Sequence, residues 1–176
     1  MKERTILRKI ILTGLFAAIA VILSGIYFPF GPTKCFPFQH AVNAVCGVLL
    51  GPWYAALSAM ISGIIRNMLG TGTIFAFPGG IPGALVVGIV HRFWSKDYAA
   101  FAEPLGTGII GAFISAYLIS PWIGKSMPFL TFQISFLTSS IPGSILGFLA
   151  LRILRKTEIV NFLLDYNDIE LRRKLT

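Results

Sequence analysis

A charged side chain set inside an otherwise apolar stretch is the feature of this sequence best suited to hold a ligand. Arg66 is the only charge well inside a hydrophobic run, with Asn67 beside it and Gly70, Thr71, Gly72 and Thr73 following. No carboxylate lies along that run, so its N–H donors need other acceptors. Backbone carbonyls, a substrate oxygen or a lipid phosphate would each serve. Counted back from Leu69, Arg66 is about one turn from a helix end, where a long side chain can also snorkel to the surface. Substrate contact and snorkelling both remain open. His40 and Asn43 are three positions apart and so share a face at the start of a helix. Gln133 takes the corresponding turn of the last apolar run, with Thr138 and Ser139 deeper. Aromatic rings crowd the same level, among them Phe36, Phe38, Phe75, Phe77, Trp122, Phe129 and Phe132. Most fit an interfacial belt. An aromatic pocket with a few convergent amides and one imidazole is also what a small heteroaromatic ligand needs.

Other chemistries lack their residues. No Gly-rich phosphate loop ending in Lys, no His-x-x-x-His pair and no cysteine pair at metal spacing occurs. Cys35 and Cys46 read as ordinary small residues. No catalytic constellation, metal site or cofactor is expected. The acids Glu3, Asp97, Glu103, Glu158, Asp165, Asp168 and Glu170 all fall outside the long apolar runs, so no carboxylate is expected deep in a membrane. That argues against a proton- or cation-coupled carrier, which normally needs one near the midplane.

The elements that must position these groups are hydrophobic helices. The chain of 176 residues is 55% hydrophobic and 12% charged, roughly half the usual charged share of a soluble domain. Hydropathy broken at Gly and Pro clusters predicts six helices, over 6–28, 39–50, 52–69, 80–94, 105–123 and 129–155. The first reads as a retained helix rather than a signal. Together they make an all-α integral membrane domain over 5–156, a six-transmembrane-helix bundle, followed by a polar cytoplasmic tail over 157–176. Six spans place both ends on one side with Lys2, Arg4, Arg8, Lys9, Arg92, Lys96, Arg152, Arg155, Lys156, Arg172, Arg173 and Lys174, leaving only Lys34 and Lys125 opposite. The positive-inside rule then makes both termini cytoplasmic and puts His40 and His91 at opposite ends. The same placement suits membrane topology better than nucleic-acid binding. Gly14 and Ala18 form a small-residue stripe on the first helix, open to a partner subunit or to internal packing. Ile81-Pro82-Gly83-Ala84 is echoed by Ile141-Pro142-Gly143-Ser144, as a broken-helix pair around a site or as ordinary membrane-helix composition.

Six hydrophobic helices, the stripe in the first and a proline-rich first outer loop resemble the substrate-binding S components of energy-coupling factor (ECF) transporters, over about Ile6 to Lys156. The run from Arg66 through Gly70-Thr71-Gly72-Thr73-Ile74-Phe75-Ala76-Phe77-Pro78-Gly79-Gly80 to Ala84, with Ser140 to Ser144, resembles the ThiW family, associated with the thiamine precursor hydroxyethylthiazole. The resemblance implies an S component in a bacterial or archaeal cell membrane that captures ligand outside. It then joins a transmembrane coupling subunit (EcfT) and two ATPase subunits, toppling to carry the site inward. It further implies a transporter subunit rather than an enzyme, with Gly14 and Ala18 at the partner face. By their depth and chemistry, and not from a family site map, Arg66, Asn67, His40, Asn43 and Gln133 would supply polar contacts, and Phe75, Phe77 and Trp122 would pack on the thiazole. An S component for thiamine or a pyrimidine, a self-contained secondary carrier and a lipid-directed enzyme are the alternatives.

Overall fold

The computed structural model describes residues 2–30 and 33–157; the predicted tail, apart from Thr157, lies outside them. Six helical stretches are present: α1 (Lys2–Leu23), α2 (Pro37–Leu50), α3 (Pro52–Met68), α4 (Ala76–Trp94), α5 (Asp97–Trp122) and α6 (Phe129–Leu154). Between α1 and α2, the strands β1 (Phe28–Phe30) and β2 (Thr33–Cys35) pair antiparallel, Phe28 opposite Cys35. The predicted first helix extends to Phe28; the helix ends at Leu23, where the Ser24 hydroxyl turns back to Val21 O at 2.6 Å. Gly51 alone joins α2 to α3, at φ +88°, a backbone state that glycine reaches without a Cβ clash. Pro52 then opens α3 at its first position, where its missing N–H costs no hydrogen bond.

Among the described residues, four helices are long and apolar enough to cross a membrane: Ile6–Leu23 within α1, then α4, α5 and α6. α2 has 14 residues and α3 has 17, giving lengths of only about 21 and 26 Å at the α-helical rise. α2 is nearly wholly buried, its polar Gln39, His40 and Asn43 included, the mark of a central helix. Val42, Val45, Val48 and Leu49 of α2 share a core with Leu12, Phe16 and Ala20 of α1, Ala55 and Ala59 of α3, Val87 of α4 and Leu151 of α6. Close approach depends on missing side chains, as expected where lipid provides no hydrophobic drive between helices. A Cβ on Gly147 of α6 would lie 2.7 Å from the Ala44 Cβ of α2, and one on Gly143 would lie 2.5 Å from the His40 Cβ.

Those contacts fix the depth of α2. Its first turn meets Gly143, the fifteenth residue of α6, so α2 begins about 20 Å down the long helix instead of level with its end. One end of the bundle carries the β-hairpin and the turns after α3 and α5. At the other, Asp97 at the start of α5 is ion-paired with Arg155 just beyond α6.

α5 corrects two expectations. Its helical path starts at Asp97, eight residues before the predicted Leu105, with a 3₁₀ turn over Asp97–Ala102 and wider π segments at Gly106–Gly111 and Ser115–Ile119. Glu103 therefore lies inside the bundle, 0% exposed, and not outside the apolar region. Gly83 of α4, lacking a side chain, leaves room for the carboxyl, and one of its oxygens meets His40 of α2 and Thr107 one turn on in α5.

Candidate functional site

Because α2 starts at mid-depth, a cavity of about 390 Å³ is left above its first turn, within the usual range for small-ligand sites. Phe36, Gln39 and His40 form its floor. Arg66 of α3, Phe75, Ala76 and Gly79 around the start of α4, and Ser135, Phe136 and Ser139 of α6 form its walls. Lys34, Thr73, Ile74, Ile123, Lys125 and Met127 surround its mouth. Ser139 anchors the floor by accepting the Phe36 N–H at 2.7 Å.

Arg66 is enclosed by protein, with 0% exposure, which excludes the snorkelling reading. Its Nη1 donates to Gln39 Oε1, and the Phe36 ring centroid lies 4.0 Å from the guanidinium carbon, a cation–π arrangement. Nε and Nη2 have no hydrogen-bond acceptor among the described residues. The position of Arg66 is set by the turn after it. Its carbonyl accepts N–H bonds from Thr71 and Gly72 at 3.0 and 2.9 Å, and the Asn67 amide donates to Gly63 O at 2.8 Å and Thr73 O at 3.1 Å.

Beneath the cavity, His40 Nδ1 and Glu103 Oε1 are 2.7 Å apart. The Thr107 hydroxyl lies 2.8 Å from the same carboxyl oxygen and 2.9 Å from Gly79 O. Glu103 Oε2 has no partner among the described residues. The repeated Pro-Gly pairs frame this contact. A Cβ on Gly83 would strike Glu103 and Thr107, and one on Gly143 would strike His40. α4 and α6 run unbroken through Pro82 and Pro142, so the echo marks space for a buried polar pair rather than two broken helices.

Of the eight ligand contacts expected from sequence, three, His40, Arg66 and Phe75, meet at the cavity. The other five lie off its lining. Asn43 donates to Gly80 O at 3.1 Å, and Asn67 closes the α3 turn. The Phe77 ring packs over Gly63. Trp122 is 76% exposed, and Gln133 is half-buried on α6. Phe75 packs at a tilt, centroid to centroid 4.7 Å, against Phe132, which neighbours Phe136 at 6.0 Å, continuing the aromatic wall. Gln39 and Glu103 were not singled out. Gln39 carried only the weak signal of an amide next to His40, and Glu103 that of an acid followed by Pro104 and an apolar run. Both cysteines are buried and free. No cluster able to hold a metal occurs among the described residues. On α1, Ala18 is exposed and a Cβ on Gly14 would meet nothing within 4 Å, so the stripe faces outward.

Comparison with family models matches residues 10–157 to the thiamine-precursor transporter protein (ThiW). The chain belongs to the ThiW family. No curated protein and no solved structure matches it. ThiW is a family of transporters, not of enzymes, and its thiamine-precursor role agrees with apolar helices around an enclosed, partly polar cavity.

Proposed function

We propose that the chain is the substrate-binding S component of an ECF-type importer, capturing hydroxyethylthiazole at the outer face of the cell membrane. The observation that carries this reading is the cavity above α2. It is enclosed by aromatic rings and a few fixed polar groups, in a chain of a thiamine-precursor transporter family. A flat heteroaromatic ring fits between Phe36, Phe75 and Phe136, while Gln39, His40 and Ser139 offer hydrogen bonds to ring nitrogen and hydroxyl. Asn43 and Asn67 serve by holding the backbone that shapes the cavity, and Phe77 by packing α4 on α3. Trp122 and Gln133 act at the periphery. All six helical stretches cross or enter the membrane in this reading, with both termini cytoplasmic, an orientation that the distribution of Lys and Arg supports.

The outward stripe of Gly14 and Ala18 supports docking of a transmembrane coupling subunit, since small residues let a helix approach closely. ATP hydrolysis belongs to two partner ATPases, because the chain has no phosphate-binding loop. Uptake by lipid vesicles holding the chain alone tests this division of labour. Retention of labelled thiazole at no more than one per chain, under any imposed proton or sodium gradient, is expected. Accumulation above that ratio overturns the subunit reading and establishes a self-contained carrier.

A further inference from the structure

We propose that the cavity takes its ligand as an anion, a small phosphate monoester gripped by Arg66; this rests on the thiamine-precursor reading and specifies the form of the precursor. Arg66 lines the cavity and is completely buried. Its one hydrogen-bonded nitrogen, Nη1, is taken by the neutral amide oxygen of Gln39. Nε and Nη2, the two without acceptors, form one edge of the planar guanidinium. Their N–H bonds run parallel there, the arrangement that holds two oxygens of a phosphate side-on. Gln39 thus leaves both donors of that edge without an acceptor.

The charge around the cavity points the same way. Its other charged lining residues are Lys34 and Lys125, both at the mouth, and no Asp or Glu lines it. The nearest acid beneath, Glu103, is engaged by His40 and Thr107. Three cations without a counter-charge in the lining among the described residues exceed what a neutral alcohol needs and suit a group carrying about two negative charges. α2 also begins on the cavity floor, so the positive end of its backbone dipole adds to the same field.

The test is calorimetric titration of the full chain, in nanodiscs of neutral phosphatidylcholine, with hydroxyethylthiazole, its phosphate monoester and inorganic phosphate. The ester is expected to bind at least tenfold more tightly than the alcohol, with a preference that shrinks as salt rises. The preference should fall to about one in Arg66→Gln, recover in part in Arg66→Lys and weaken in Lys125→Gln, an exposed change that spares the core. Equal binding of alcohol and ester overturns the anion proposal and leaves the thiazole reading intact. Salt- and Arg66-dependent binding of inorganic phosphate without any thiazole binding upholds the anion site and sinks the thiazole reading. No binding of any of the three overturns both. Loss of ester binding when phosphatidylglycerol replaces part of the lipid assigns the fork to a lipid headgroup and overturns the small-molecule proposal.

Discussion

Removing the Glu103 carboxyl should destabilise the bundle far more than removing the Thr107 hydroxyl beside it. Glu103 is fully buried, with His40 Nδ1 and the Thr107 hydroxyl both within hydrogen-bond distance of one carboxyl oxygen. In Glu103→Ala, Thr107 keeps its second acceptor, Gly79 O at 2.9 Å, so little is lost on that side. His40 Nδ1 loses the one partner it has on another helix. Leaving a buried polar group unsatisfied costs roughly 1–3 kcal/mol, and a typical intramolecular hydrogen bond contributes about 0.5–1.5 kcal/mol. Glu103→Ala should therefore cost about 3 kcal/mol and Thr107→Val about 1 kcal/mol, with Glu103→Gln in between because it keeps the acceptor oxygen and the shape. The assay is reversible unfolding in mixed micelles on Glu103→Ala, His40→Ala and the double variant. A coupling energy above about 1.5 kcal/mol is expected from the cycle. Strict additivity, or a Glu103→Ala protein as stable as the parent, would refute the pairing that places α5 against α2.

Other consequences follow from the same geometry. Gly143→Ala should lower the unfolding temperature and weaken ligand binding together, since its methyl would meet the first turn of α2 at 2.5 Å and overpacking costs about 1–3 kcal/mol; thermal melts with and without ligand check both. Gly14→Ile, where nothing lies within 4 Å, should leave melting and ligand affinity unchanged but reduce co-purification with the coupling subunit. Phe75→Ala should weaken thiazole binding about tenfold, through loss of a ring contact of about 1.5 kcal/mol, whereas Trp122→Ala should not alter it; titration of each variant decides.

The helices were legible because apolar runs between Pro and Gly clusters mark them directly, and the Gly51-Pro52 junction fell where expected. Depth was not legible. Spacing put His40 and Asn43 on one helix face but could not say that α2 starts beside Gly143 in the middle of α6. The carboxyl of Glu103 ended the hydropathy signal early, because that signal scores an acid as exposed. Its partner His40, 63 positions away in the chain, is visible only once the helices are packed. Asn43 and Asn67 look like ligand contacts in sequence, since an amide that holds backbone carbonyls has the same chemistry as one that holds a substrate. The hairpin escaped notice because its strands are three residues each and one contains Pro29.

The central claim is that this chain, without partners or nucleotide, binds a thiamine precursor in the cavity above α2. Calorimetric titration of the purified chain with hydroxyethylthiazole and its phosphate, alongside thiamine and hydroxymethylpyrimidine, tests it most directly. Saturable binding of a thiazole at one site per chain, weakened by Phe75→Ala and not matched by the pyrimidine or by thiamine, is the predicted result. Absence of thiazole binding in a protein that still melts cooperatively would contradict the account.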